Sequence, residues 1–231
     1  MANEAPRKRV VIKRPRLAGQ LAVGEIADGR VESRGYYEAM AIASVDLSGQ
    51  EARHPTFEGV RCAEVDLSGT HFAEVALTDV RLERCALVNA EWLEADWHRV
   101  EVDGCQAIGF IASEARFQDV TFRECNLRLA TFRFSTFKAV RFERCPLGDA
   151  DFVGADLSGV VFAGCDLSNA DLSRTKLDGA DLRGSSLDGL RVDAPALRGA
   201  VVDPMQAVVL ARALGLVVEW GEGTHQGMAG V

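Results

Sequence analysis

An apolar residue recurs at every fifth position from Leu47 to Val202, and no insertion or deletion interrupts the spacing. The residues between these positions are mostly polar, small or glycine. An α-helix repeats its apolar face about every 3.6 residues and a β-strand about every 2, so a period of five fits neither element. It requires a chain that turns a corner every five residues. The pattern therefore predicts a solenoid whose stacked coils share one core.

A second period of twenty residues overlies the first. Cysteines recur every twenty residues from Cys85 to Cys165, and valines do so from Val60 to Val160. Twenty residues make four of the five-residue units, so we expect residues twenty apart to stack directly on each other. At about 4.8 Å per coil, about 7.75 coils predict a rod roughly 37 Å long.

The five-residue unit has a recognisable composition. In Ala150–Gly154 and again in Ala155–Gly159, a small residue comes first, aspartate second and a large apolar residue third. This unit resembles the motif A(D/N)LXX of the pentapeptide-repeat family, over residues 45–199 and 31 consecutive units. The resemblance implies an all-β fold, a right-handed quadrilateral parallel β-helix with four units per coil.

One coil departs from the usual sizes of core residues. Trp92 and Trp97 are large for central positions, whereas the next coil offers Ala107 and Ala112 there. Phe110 occupies a first position that is normally small. Because protein interiors are densely packed, we expect Phe110 to fill the space that the two alanines leave.

The cysteines are predicted to be buried and reduced. Five of the six form one inward-facing row at a small-residue position, and Cys62 lies at a core centre. A row of thiolates binding a soft metal is the alternative. Stacked thiols in a packed core give no obvious tetrahedral cage and no histidine joins them, so no metal site is expected.

The segments outside the repeat divide the chain further. Residues 1–20 are predicted to be a basic, disordered tail, 21–44 an N-terminal cap whose last residues begin the first coil, 45–202 the β-helix, 203–220 a C-terminal cap and 221–231 a disordered tail. In the C-terminal cap, Asp203 and Pro204 suit the start of a helix that ends at Gly215, and Leu216–Trp220 reads as a strand. No long apolar run or signal peptide is visible, so a cytoplasmic protein without membrane contact is expected.

The net charge of −8 is unevenly distributed. Residues 1–20 carry six basic groups and one acid, residues 21–79 eleven acids and four bases, residues 80–144 ten of each, and residues 145–231 twelve acids and six bases. The rod is therefore expected to have acidic ends and a neutral middle. No catalytic, phosphate-binding or dinucleotide-binding motif is present, so neither an enzyme nor a cofactor is predicted.

Two functions remain open. Several pentapeptide-repeat proteins bind DNA gyrase as mimics of duplex DNA and protect it from quinolones or natural gyrase poisons, so the resemblance implies gyrase as a partner, without direct binding of nucleic acid by the rod. The acidic residues expected to contribute lie in the C-terminal repeats: Asp149, Asp151, Asp156, Asp166, Asp171, Asp178, Asp181 and Asp188.

The alternative is a general interaction scaffold with an unknown protein partner. Its support is a predicted outward apolar patch, because clustered exposed apolar residues often mark a binding surface. The patch consists of Val88, Leu93, Ile108, Ile111, Leu129, Phe134 and Val153. The apolar C-terminal helix is expected either to cover the core or to form a homodimer, through Met205, Val208, Val209, Leu210 and Leu214.

Overall fold

The computed structural model describes residues 11–24, 26 and 29–219 as one elongated β-helix with a short C-terminal helix. The strands are parallel, and most pair with a residue twenty positions further on, as Val80 does with Val100. The elements are β1 Ala22–Val23, β2 Tyr36–Glu38, β3 Met40–Ala43, β4 Glu51–Arg53, β5 Thr56–Glu58, β6 Arg61–Ala63, β7 His71–Ala73, β8 Ala76–Glu83, β9 Asp96–Asp103, β10 Arg116–Arg123, β11 Thr136–Glu143, β12 Val161–Ala163 and α1 Pro204–Ala213. The right-handed quadrilateral β-helix implied by the family resemblance is confirmed, and so is the stacking of residues twenty apart that the spacing predicted.

Each coil has four faces, which we number along the chain by their central core residues. Face 1 holds the ladder from Leu47 to Leu187, face 2 that from Ala52 to Leu172, face 3 that from Phe57 to Leu177 and face 4 that from Ile42 to Leu182. Strands β8 to β11 run continuously across faces 3 and 4, whereas faces 1 and 2 are formed mostly by turns and single bridges. The corner between faces 3 and 4 is therefore diagonally opposite the corner between faces 1 and 2.

The corners are made by the fifth residue of each unit, which has a left-handed backbone conformation. Glycine occupies many of these positions, but residues such as Asp79 (φ 56°) and Leu129 (φ 59°) adopt it too. At Gly154 (φ 74°) a side chain is excluded for a second reason, since a Cβ atom would stand 2.6 Å from two ring carbons of Phe134.

The core confirms the packing expected around the two tryptophans. Phe110 is only 2% exposed, and its ring meets those of Trp92, Trp97 and Phe132 with centroid separations of 5.7, 6.3 and 6.3 Å. The indole Nε1 of Trp92 donates to the hydroxyl of Thr70 at 2.9 Å, so its polar atom is satisfied inside the rod. Around the two tryptophans, the large rings are followed one coil on by small residues, and Phe110 fills the space that remains.

All six cysteines are buried free thiols, as their row predicted. Burial raises the pKa of Cys62 to about 12, so this thiol is neutral at physiological pH. The Cys125 thiol donates to the carbonyl oxygens of Val102 and Arg123 at 3.3 and 3.2 Å. The sulfur atoms therefore pack as small side chains that also contact the backbone of the coils.

The N-terminal end differs from the sequence-based expectation. Pairing at the twenty-residue spacing starts at Tyr36, which pairs with Thr56, so coil structure begins within the segment expected to be an irregular cap. The ring of Tyr37 stacks on Phe57 with a centroid separation of 4.9 Å. Residues 11–17, which we call the strap, lie along the rod where a disordered tail was expected; residues 1–10 fall outside the described residues.

The C-terminal end begins with a distorted coil. The Asp193 carboxylate accepts from the amides of Arg174 and Ala196, at 2.8 and 2.9 Å, in place of regular backbone pairing. Helix α1 then starts at Asp203, whose side chain and that of Gln206 cap each other's backbone amides. Residues 216–219 are not a strand, and Trp220 and the predicted C-terminal tail lie outside the described residues.

Candidate interaction surfaces

The interior of the rod offers little room for a ligand. A void among the N-terminal coils, lined by apolar side chains such as Leu47, Phe72 and Trp92, has a volume of about 20 Å³. A cavity of this size has room for about one water molecule, but its apolar lining offers no hydrogen-bond partners that would hold one in place. In the described ranges, no three His, Cys, Asp or Glu side chains are grouped to hold a metal ion. The candidate functional surfaces are therefore on the outside.

The eight predicted acidic residues are spread over all four faces, and most are engaged within the rod. Five stand within 4 Å of a cation: Asp149 with Arg128, Asp151 with Arg133, Asp156 with Lys176, Asp171 with Arg191 and Asp181 with Arg183. Exposed ion pairs of this kind contribute little to stability, about 0 to 1 kcal/mol. They do lower the negative charge that these residues present to a partner.

The aspartates in the second position of a unit also shape the turns. The carboxylate of Asp166 accepts from the amide and the hydroxyl of Ser168, at 3.0 and 2.5 Å. Both contacts hold the pKa of Asp166 below its usual value, so the side chain remains ionised at neutral pH. Asp151 and Asp171 accept in the same way from amides two residues on. This second role explains why aspartate recurs at this position.

Asp166, Asp178 and Asp188 form a distinct group among the eight. All three are exposed, and across the described part of the chain no basic side chain lies within ion-pair distance of them. Asp166 and Asp188 lie on face 1, and Asp178 lies on face 3 near the C-terminal end. These three residues present the least compensated negative charge of the predicted set.

The predicted apolar patch covers face 2 and the adjoining edge of face 1, with Leu129 at the corner between faces 1 and 2 and Phe134 at the corner between faces 2 and 3. Leu129 and Phe134 are 56% and 52% exposed, whereas Val88, Leu93, Ile108, Ile111 and Val153 are half-buried. The amide of Phe134 donates to the carbonyl of Val153, and its ring lies against Gly154 one coil further on. The patch therefore consists of two exposed side chains surrounded by half-buried apolar residues.

The residues predicted to form a cap or a dimer divide between two environments. Leu210 is buried and Val209 packs against the core, so this side of helix α1 closes the rod. Val208 is half-buried, whereas Met205 in the first turn of the helix is exposed, as are Leu214, Leu216 and Val217 at and after its last turn. Both ends of helix α1 therefore expose apolar side chains.

The strap is a contact surface that the sequence-based interpretation missed. It runs along the corner between faces 3 and 4, where the amides of Lys13 and Arg16 donate to the carboxylates of Asp119 and Asp79 at 3.0 and 2.9 Å. The signal in the sequence is slight, since Ile12, Pro15 and Leu17 are the only apolar residues among the basic ones after Val11.

The repeat architecture agrees with a family model of known proteins. A family model described as a pentapeptide repeat region matches residues 75–152 and 95–172. The full-length structure of QnrB1, a plasmid-mediated fluoroquinolone resistance protein, is 24% identical, with 79% of this chain and 100% of that chain covered and a TM-score of 0.41. HetL, a pentapeptide repeat protein involved in heterocyst differentiation regulation from the cyanobacterium Nostoc sp. strain PCC 7120, is 20% identical, with 70% and 84% covered and a TM-score of 0.35.

A search of curated proteins gave no match to this sequence. Within the described residues, no helix combines the length and the hydropathy needed to cross a membrane.

Proposed function

Because this chain belongs to the pentapeptide-repeat family, we propose that it is a non-enzymatic cytoplasmic protein that binds DNA gyrase, or a related type II topoisomerase, as a mimic of duplex DNA. Binding of this kind would protect the enzyme from quinolones or natural gyrase poisons. The observation that carries the proposal is the uninterrupted rod with an acidic segment at each end. A rigid rod loses little conformational entropy when it enters a groove that already fits it.

The charge of the rod limits how far the mimicry extends. A duplex about 37 Å long carries roughly 22 phosphate charges, at one per 1.7 Å of axis. Residues 21–79 and 145–231 have net charges of only −7 and −6, and residues 80–144 are neutral. We therefore assign the contacts with the enzyme to the ends of the rod, and at the C-terminal end to Asp166, Asp178 and Asp188.

A supercoiling assay with purified gyrase from the organism that encodes this chain tests the proposal, with and without a quinolone. We expect the protein either to inhibit supercoiling or to relieve quinolone inhibition. Replacing Asp166, Asp178 and Asp188 together by asparagine should weaken the effect about tenfold, because each charge attracts a basic groove, and the wild-type effect should decrease as salt is raised.

The matched control changes the same number of charges in the neutral middle of the rod. Glu94→Gln, Asp103→Asn and Glu114→Gln, combined in one protein, should leave the effect within about threefold, since these residues lie outside the acidic ends. Equal losses in both triple variants would contradict the assignment to the C-terminal end. No effect of the wild-type protein at tens of micromolar would contradict the gyrase proposal itself.

We also propose that two copies associate through the exposed apolar surface of the C-terminal end. Light scattering at micromolar concentration should give the mass of two chains, and Met205→Asp combined with Leu214→Asp should reduce it to one, because a charge is costly to bury at an interface. Leu129→Asp, an exposed apolar residue in the middle of the rod, is the control and should leave the mass unchanged. A single-chain mass for the wild-type protein would contradict the dimer.

The second candidate function, a scaffold for another protein, is favoured by the exposure of Leu129 and Phe134 within the patch. Isolated exposed apolar residues are common, but these two lie at the corners of one face whose half-buried apolar residues on neighbouring coils extend the surface. If gyrase is unaffected, this patch is the next surface to test, with Phe134→Asp as the variant that should lose the partner while the rod stays folded.

A further inference from the structure

The corner between faces 3 and 4 contains a polar groove that is occupied by the chain itself. The groove is formed by Asp79, Arg99, Glu101 and Asp119, and its occupant is the extended strap. Asp79 and Asp119 are only 8% and 4% exposed, which is unusual for aspartates on the outside of a rod. Charged groups that are this well covered need partners. The strap donates one amide to each aspartate, and Arg99 also binds Asp79.

The strap is held mainly by its backbone. Lys13 and Arg16 each donate a main-chain amide, while their side chains remain exposed. The one ion pair between a strap side chain and the groove, Arg14 with Glu101 at 3.6 Å, involves an arginine side chain that is 79% exposed, so it contributes little. A hydrogen bond to a charged acceptor contributes more than one between neutral groups. Recognition therefore depends on an extended backbone at this place.

The spacing of the two carboxylates matches an extended peptide that runs along the rod axis. Asp79 and Asp119 are two coils apart, which is about 9.6 Å at the spacing between neighbouring strands. Three residues of extended chain, from Lys13 to Arg16, span about 10 Å. The amides of Lys13 and Arg16 can therefore reach Asp119 and Asp79 while the strap stays extended.

The groove is also held in place independently of the strap. The Arg99 guanidinium binds Asp79 through two hydrogen bonds of 2.6 Å, and its third nitrogen contacts His98 at 2.8 Å. Burial acts to raise the pKa of Asp79, but Arg99 and the Arg16 amide outweigh it and lower the pKa. Asp79 therefore stays ionised, and its carboxylate is held in one orientation in which it can accept a further hydrogen bond.

We propose that this groove is a binding site for an extended, basic peptide segment, that the strap is its resident ligand, and that a basic tail of a partner protein can take its place. The groove binds two main-chain amides of the segment that are three residues apart. The segment also needs apolar residues at the positions of Ile12, Pro15 and Leu17, which are half-buried in the strap. Asp79 is the last residue of the N-terminal acidic segment, and the rest of the site lies in the neutral middle of the rod. The peptide-binding test below does not involve gyrase, and the gyrase test uses Asp166, Asp178 and Asp188, so failure of one proposal can be told apart from failure of the other.

Fluorescence anisotropy with a labelled peptide of residues 11–19 tests the site on full-length protein. The host carries Lys13→Pro and Arg16→Pro, because proline has no amide hydrogen and the host's own strap then loses both donors. We expect this host to bind the peptide at least tenfold more tightly than the wild-type protein, whose tethered strap competes at high effective concentration. Ala18→Pro, beyond the strap, is the control and should behave as wild type.

Two further measurements separate backbone recognition from simple attraction between charges. A peptide with N-methyl groups at the two donor amides keeps all its positive charges, and we expect it to bind at least tenfold more weakly. Adding Asp119→Ala to the host should also weaken binding about tenfold, because a hydrogen bond to a charged group is lost. Alanine is tolerated there, since Ala139 has the same conformation one coil on. Equal binding by the methylated peptide, or no effect of Asp119→Ala, would overturn the proposal.

Discussion

Replacement of Phe110 by alanine will lower the free energy of unfolding by about 3 kcal/mol or more. The side chain is almost completely buried and meets the rings of Trp92, Trp97 and Phe132. Its removal takes away apolar burial and also leaves a cavity, since Ala107 and Ala112 are too small to refill the space. Chemical denaturation followed by far-ultraviolet circular dichroism measures the loss.

Phe134 provides the matched control for this change. It is the same residue type near the same coils, but it is half exposed and rests on Gly154. Phe134→Ala and Phe134→Asp should therefore change the free energy of unfolding by less than about 1 kcal/mol, as surface substitutions usually do. If Phe110→Ala costs no more than Phe134→Ala, the ring of Phe110 does not fill the core. If Phe134→Asp unfolds the rod, the patch belongs to the core.

Replacement of Gln206 by alanine will destabilise the C-terminal end by about 2 to 3 kcal/mol. The buried amide of Gln206 donates to the carbonyl oxygens of Leu182 and Ser185, at 2.6 and 2.7 Å, and accepts from the Asp203 amide at 3.0 Å. Loss of this side chain leaves the Ser185 carbonyl and the Asp203 amide without their partners, and the Leu182 carbonyl with only the Ser185 amide as a donor. Amide hydrogen exchange should show faster exchange in the C-terminal coils than in the middle of the rod.

Gln118→Met is the matched control, because Gln118 is half-buried on a lateral face and takes no part in a cap. It should leave exchange in the C-terminal coils unchanged. Gln206→Met separates the loss of hydrogen bonds from the loss of volume, since methionine has a similar size but no amide. If Gln206→Met is as stable as the wild-type protein, the rod is closed by the packing of helix α1. The hydrogen bonds from Gln206 to the backbone of the coil then contribute nothing measurable.

The sequence was sufficient to predict the fold because the periodicity lies in the core. The spacing of five places Leu157 and Phe162 inside, and the spacing of twenty defines which residues stack, as the pairing of Phe122 with Phe142 confirms. The burial of Phe110 followed from the sizes of its neighbours alone. Each inference needed only side-chain volume and position in the repeat.

The surface was less predictable, because contacts there depend on partners from other coils. The pairs of Asp156 with Lys176 and of Asp171 with Arg191 join residues twenty apart, so reading the charges in columns would have revealed them. The strap gives no such signal. Its hydrogen bonds come from main-chain amides, which every residue except proline possesses, so nothing in the side chains of Lys13 and Arg16 indicates their acceptors.

Because the register between coils is fixed, the length of the rod can change without disturbing the stack only by whole coils. Removal or duplication of twenty residues within the repeat would restore the same stack, corner residues and core ladders, with the ends moved by one coil of about 4.8 Å. A change that is not a multiple of five would turn core side chains toward solvent, and a multiple of five other than twenty would move every later residue to a different face. During evolution the distance between the two acidic ends can therefore change in steps of one coil, while the packing of the core stays the same.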